Sequence, residues 1–151
     1  MTRAFLDANV FVYASGRSHD LKEPSRAVLR LATEHFASFV TDSEVFQEML
    51  HRYLALRVWS ESRANFVRYL DLMRARTEPM LSVDVRLAAS LAENHKGLSA
   101  RDLVHLAVMR RIGCPTIVTA DSGFDGIDGI TRLDPMRVDE WRSLVTDAAS
   151  P

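Results

Sequence analysis

The sequence predicts an α/β domain built on a mostly parallel sheet of four to five strands, with helices on both faces. Three observations lead there. Short apolar runs, too short for helices, alternate with longer stretches whose apolar residues recur at helical spacing. The runs are continuously apolar rather than alternating, the pattern of strands buried on both faces. The chain has 151 residues, a length that fits one domain burying roughly 68–70% of its unfolded surface.

The elements follow in order. Arg3 to Asp7 reads as a short buried strand, Ala-Phe-Leu, that ends on a carboxylate. Lys22 to His35 reads as a helix with Ala27, Val28, Leu31 and Ala32 on one face. Ser38 to Thr41 is a second apolar run, followed by polar capping residues. Val45, Phe46, Met49, Leu50, Tyr53 and Leu54 recur at helical spacing, and Trp59 to Arg74 repeats the pattern with Phe66, Leu70 and Met73 inward. Pro79 to Val83 is expected to be the third strand. Helices are expected at about 84–95 and 100–112, with Gly97 as a C-cap between them. Thr116 to Thr119 is a β-branched run, the best strand signal in the chain. A loop rich in Gly and Asp (120–129) precedes a strand from Ile130 to Leu133, and Val138 to Val145 is a last helix. No repeat or linker interrupts the chain, so 1–151 is expected to be one domain, frayed in its first four residues and after Val145.

Composition narrows the function classes. With 47% hydrophobic and 26% charged residues, disorder and collagen-like structure are excluded. The lone Cys114 excludes an internal disulfide and a Cys-rich zinc site, and reads as a small buried residue in a reducing cytosol. No stretch approaches the ~18 apolar residues of a membrane helix. Asp7 and Asn9 break the run from Ala4 to Ala14, as a signal peptide's apolar region would not. A cytoplasmic, membrane-free protein is therefore expected. The net charge of −1 hides an asymmetry: Leu50 to Arg76 holds six Arg against one Glu and one Asp, whereas Pro115 onward holds three Arg against six Asp and one Glu. Basic residues are 17 Arg to two Lys, and Arg suits bidentate phosphate contacts.

Four acids are expected to converge on one edge of the sheet. In open α/β sheets ligands bind beyond the carboxyl ends of the strands. Asp7 closes the first strand and Asp121 lies two residues past Thr119, while Glu48 and Asp102 sit near starts of helices. Ionised carboxylates within about 5 Å repel by roughly 3 kcal/mol per pair at an effective dielectric near 20, so protons or divalent cations must neutralise such a group. Hard oxygen ligands select Mg²⁺ or Mn²⁺, and such a site activates water for attack on a phosphodiester. Each acid also has an ordinary reading. Ser99 to Asp102 is a capping box, an alternative to a ligand role for Asp102. Thr41 to Glu44 is another, which spends Glu44 at the helix start and leaves Glu48, on an apolar face, as the ligand, with Glu44 in reserve. Asp121 and Asp125 flank Ser122-Gly123-Phe124 and suit Asx turns. Glu48 and His51, like Asp102 and His105, also stand at the i, i+3 spacing of carboxylate-bridged di-iron bundles, but strands at 3–7 and 116–119 do not belong to a bundle. Both histidines read as packing, surface or outer-shell residues.

In its motifs the chain resembles the PIN-domain ribonucleases, and within them the VapC-type toxins of type II toxin–antitoxin pairs. Phe5-Leu6-Asp7-Ala8-Asn9-Val10 resembles the opening motif, an apolar strand running into Asp-x-Asn. The segment 41–50 is similar to the one carrying the acidic helix residue, which falls on Glu48. The segment 98–107 is similar to the third motif, with Asp102 in place, and 117–125 to the last, where Gly123 stands at a position often acidic in the family. The resemblance implies a PIN-like α/β/α sandwich and an Mg²⁺- or Mn²⁺-dependent endoribonuclease, cutting RNA such as tRNA or rRNA. It implies that Asp7, Glu48, Asp102 and Asp121 are catalytic and hold the metal, with Asn9 and Thr119 in support and Asp125 as an accessory. It also implies a homodimer and a small VapB-type antitoxin. Arg57, Arg63 and Arg68 are then candidates for RNA or antitoxin contact, against the plainer reading of a solvated helix face. A non-catalytic PIN-like module binding RNA or protein is the competing expectation.

Overall fold

The computed structural model describes residues 3–146. Five strands, β1 (Ala4–Leu6), β2 (Phe39–Asp42), β3 (Thr77–Glu78), β4 (Thr116–Val118) and β5 (Thr131–Leu133), form one sheet of order β3-β2-β1-β4-β5. Every pairing is parallel, with Ala4 opposite Phe39 and Leu6 opposite Val118. All residues of β1, β2 and β4 are buried, which accounts for their continuously apolar sequences: helices cover both faces. The helices are α1 (Ala8–Ser15), α2 (Lys22–Glu34), α3 (Ser43–Ala55), α4 (Trp59–Met73), α5 (Ser82–Leu91), α6 (Ala100–Arg111), α7 (Val138–Trp141) and α8 (Ser143–Thr146). A single cluster of buried apolar side chains runs from Ala4 to Val145.

Several local expectations are corrected. The third strand is Thr77–Glu78, not 79–83. Pro79 lacks an amide hydrogen for the ladder, and Met80, Leu81 and Val83 are exposed rather than buried. Asp84 Oδ2 accepts from the Leu81 amide at 2.8 Å, which starts α5 there instead. That helix ends at Leu91, so Gly97 caps nothing; Gly113, with φ +64°, takes the left-handed turn after α6. The last helix is two short ones, broken at Arg142. Of the expected frayed ends, residues 1–2 and 147–151 lie outside the described residues, whereas Ala4 is fully buried in β1.

Helix α1 had no counterpart in the sequence reading. Its residues Val10-Phe11-Val12-Tyr13 are β-branched or aromatic and carry no helical signal of their own. Asp7 starts it, accepting from the Ala8 amide at 2.7 Å. Aromatic packing then holds it: Phe11 lies 5.7 Å from Phe46 of α3 and 5.2 Å from Tyr69 of α4, centroid to centroid.

This topology places the site. From β1 the chain moves outward to β2 and β3, then returns across to β4 on the other side of β1. The carboxyl ends of β1 and β4 therefore flank the point where strand order reverses, the place where open parallel sheets bind ligands. Asp7 and Thr119 follow those two strands directly, and Asp42 ends the neighbouring β2.

Candidate functional site

Asp7 is 5% exposed, and both of its oxygens are engaged. Oδ1 accepts from the Ala8 amide, and Oδ2 accepts from Thr119 Oγ1 at 2.6 Å and from Asn9 Nδ2 at 3.0 Å. Thr119 Oγ1 in turn accepts from Asn9 Nδ2 at 2.8 Å and from the Asp121 amide at 3.0 Å. Asn9 Oδ1 accepts from the Ala120 amide at 3.2 Å. The two segments, about 110 residues apart, are thus tied through Asn9 and Thr119, and the position of the Asp7 carboxylate is set by both.

The second wall is a buried pair. Asp42 and His105 are each 0% exposed. Asp42 Oδ1 caps α3 by accepting from the Val45 amide, and Oδ2 lies 2.8 Å from His105 Nδ1. With Nδ1–H donated to a carboxylate, Nε2 of His105 faces the site. It has no hydrogen-bond partner, and Glu48 Oε2 stands 3.9 Å away, too far for a hydrogen bond. One ligand atom each from Asp7, Glu48 and His105 lie within 4.8 Å of one another.

The electrostatics follow from this crowding. Burial pushes the Asp7 carboxyl above its usual range, against the pull of the His105 charge and the hydrogen bonds from Thr119 and Ala8. His105 pulls Glu48 below the usual range, against its partial burial, with Arg101 and Arg52 adding to the pull. For His105 itself burial acts downward, but Asp42, Glu48 and the Asp7 charge outweigh it and raise the imidazole to about 10. Without a metal, the imidazolium is the cation that neutralises the buried acids.

The remaining expected site residues make contacts of their own. Asp102, in the first turn of α6, closes a capping box: Oδ2 accepts from the Ser99 amide and hydroxyl at 2.8 and 2.7 Å. Asp121 is exposed and Oδ1 accepts from the Gly123 amide at 2.8 Å. A Cβ at Gly123 would come within 3.0 Å of that oxygen, so glycine there lets the Asp121 carboxylate fold onto its own turn. Asp125 is held by Arg132, which donates to both of its oxygens at 2.7 and 3.2 Å. Among the described residues, then, the metal-capable group unites Asp7 and Glu48 with His105, and does not include Asp102 or Asp121. Glu44 faces Arg101 at 3.5 Å, and the cap expected of Thr41 is made by Asp42, because Thr41 Oγ1 donates instead to Leu6 O at 2.8 Å. Arg57, Arg63 and Arg68 are exposed; Arg57 has φ +57°, and Arg68 lines a separate cavity with Arg26 and Arg30.

Asp42 and the central position of His105 were missed from sequence. The available signals were the place of Asp42 at a carboxyl strand end and that of His105 one turn past Asp102, on the same side of α6.

A parallel sheet with acids gathered at its switch point defines a class of metal-site domain, and the family follows: the chain belongs to the PIN-domain family, whose model matches residues 4–130. Within it, Ribonuclease VapC23 of Mycobacterium tuberculosis is 41% identical over 119 residues, covering 78% of this chain and 91% of its own. Ribonuclease VapC13 of the same organism is 33% identical over 128 residues, covering 85% and 97%. These relatives place the chain among the VapC ribonucleases. The fold is also that of VapBC2 from Rickettsia felis, solved bound to a promoter DNA fragment, with TM-score 0.66 at 15% identity over 88% of this chain and 98% of that one.

Proposed function

We propose that this chain is a divalent-metal-dependent endoribonuclease, the toxin of a type II toxin–antitoxin pair, that hydrolyses phosphodiester bonds in RNA such as tRNA or rRNA. The observation that carries the reading is the convergence of Asp7, Glu48 and the unpartnered Nε2 of buried His105. Two carboxylates and one imidazole nitrogen suit Mg²⁺ or, with the nitrogen, Mn²⁺. Asp7 and Glu48 would hold the ion, with Asp102 and Asp121 as the catalytic acids carried over from the family motifs. A cation there supplies charge stabilisation at the phosphate and activation of water.

The chain's own residues do the rest. Thr119 and Asn9 lock the Asp7 carboxylate, so that its unshared electron pairs are directed before substrate arrives. Asp42 fixes the tautomer and ring plane of His105. Asp125, through Arg132 and its 3.2 Å bond to Thr119 O, braces the loop that carries Asp121. The chain acts as one PIN-like domain over 1–151, in the cytoplasm, as a homodimer with a small VapB-type antitoxin as its inhibitor; no helix among the described residues is long and apolar enough to cross a membrane.

The test is cleavage of total RNA by purified protein. Cutting with Mn²⁺ or Mg²⁺ that stops in EDTA is expected, together with a divalent-dependent thermal shift that Asp7→Asn abolishes. Cutting that persists in EDTA overturns the metal reading. Binding of RNA with neither cutting nor a metal-dependent shift replaces the enzyme with a binding module.

A further inference from the structure

We propose that the groove leading away from Glu48 between α1 and α3 is a nucleotide subsite. Tyr13 and His19 stack an unpaired base of the RNA, and Arg52 with Arg17 holds the adjoining phosphates. This deepens the ribonuclease reading and rests on it.

Both helices begin at the acidic site and run outward side by side. On α1, Asn9 and Tyr13 are four residues apart; on α3, so are Glu48 and Arg52. Four residues advance ~6 Å along a helix and return to the same face. One turn out from the Asn9–Glu48 level, the groove therefore presents an aromatic ring on one side and a guanidinium on the other. A small cavity of about 70 Å³ contains all four of these residues. A larger one, about 820 Å³, shares Val12, Tyr13 and Arg52 with it and continues past Arg17 and His19. Val12, Tyr13 and Arg52 thus form a wall common to both cavities.

The aromatic platform is already assembled. The rings of Tyr13 and His19 stack with centroids 4.8 Å apart and planes 24° from parallel. His19 Nδ1 accepts from the Leu21 amide at 3.1 Å, which fixes the exposed ring in its loop. Neither ring belongs to the buried apolar cluster, Tyr13 being half-buried and His19 exposed. An exposed π-face beside a positive groove suits unstacked bases of single-stranded or loop RNA.

The charges fit the same occupant. Arg52 is exposed and lines both cavities. Arg17 adds a second guanidinium, with Asp20 the nearby opposing charge in its loop. Buried Tyr53 lines the same cavity, and its hydroxyl forms no full hydrogen bond, Ser15 standing near without reaching bonding geometry.

The experiment uses the full chain with Mn²⁺ and a hairpin RNA cut by the wild type, with 2-aminopurine placed at successive positions beside the cut. His19→Ala and Arg52→Gln are each expected to raise KM about tenfold, equivalent to 1.4 kcal/mol, with kcat within about threefold. Base stacking on aromatic rings supplies effects of that order. Tyr13→Phe keeps the ring and is expected to match the wild type. In the Asp7→Asn background, 2-aminopurine fluorescence is expected to be quenched on binding at one position, and His19→Ala to remove the quenching. Cleavage with unchanged KM in both variants and unchanged quenching overturns the subsite and leaves the ribonuclease standing; the groove then belongs to a protein segment. If the wild type cuts no RNA, the ribonuclease reading fails, while quenching in the Asp7→Asn protein still decides whether the groove holds a base.

Discussion

The acids proposed for the site are built into the fold in two different ways. Asp7, Asn9, Thr119, Asp42 and His105 form an inner half whose hydrogen bonds join segments 63 to 112 residues apart. Asp102 and Asp121 form an outer half whose carboxylates bind amides two or three residues away. A buried carboxylate without partners is costly, so the inner carboxylates Asp7 and Asp42 are satisfied by the fold, while His105 Nε2 is left without a partner. An exposed carboxylate can satisfy itself within its own turn, at little cost for letting go. The inner acids are fixed by long-range bonds, and the outer ones are held only within their own turns.

The largest expected effect breaks the inner half. Asp7→Asn removes a ligand and leaves Thr119 Oγ1 facing an amide, and cleavage should fall more than 100-fold, the effect of losing several kcal/mol of electrostatic stabilisation. A loss under tenfold would move the chemistry away from Asp7. Next, Asp42→Ala should cost about 3–5 kcal/mol in urea unfolding, because it strands the buried His105 charge. A cost near 1 kcal/mol, that of a helix cap alone, would show that the pair contributes little.

The outer half responds the other way. Asp102→Asn and Asp121→Asn keep a side-chain oxygen for the caps, so unfolding should change by less than about 0.5 kcal/mol while cleavage drops at least tenfold. Activity unaffected in both variants would reduce these residues to caps. Glu48→Gln should likewise lower activity strongly and Glu44→Gln hardly at all; the reverse order would exchange their roles.

A further expected effect is a pH dependence of stability. Unfolded His105 loses its proton near 6.5, whereas folded His105 holds it to about 10. Between those values the folded state binds more protons, so stability in EDTA should be full below pH 6.5 and fall as pH rises towards 10. His105→Asn should flatten that slope, and equal slopes in both proteins would mean that the imidazole is not held as a cation.

Legibility from sequence divides along the same line. Asp7, Glu48, Asp102 and Asp121 were visible as candidates because strand ends and helix starts are local features, and so was the parallel α/β class, because buried strands must be apolar throughout. The capping box of Asp102 and the turn of Asp121 were visible too, since their partners lie within three residues. Helix α1 was not, because Val10 to Tyr13 suit a strand as well as a helix, and the packing of Phe11 against Phe46 and Tyr69 decides it. The strand expected at 79–83 failed for the converse reason: apolar residues there are exposed beside a helix start.

By itself the sequence determined the class of fold, most of its elements and the four motif acids as candidates, all of which rest on spacing along the chain. Only the tertiary structure decided that His105 and Asp42 stand behind those acids, that Asn9 and Thr119 lock Asp7, and that Tyr13 and Arg52 face one groove. Those contacts join residues that no local pattern relates, and burial, which makes an unpartnered charge costly, is created only when the chain has closed around them.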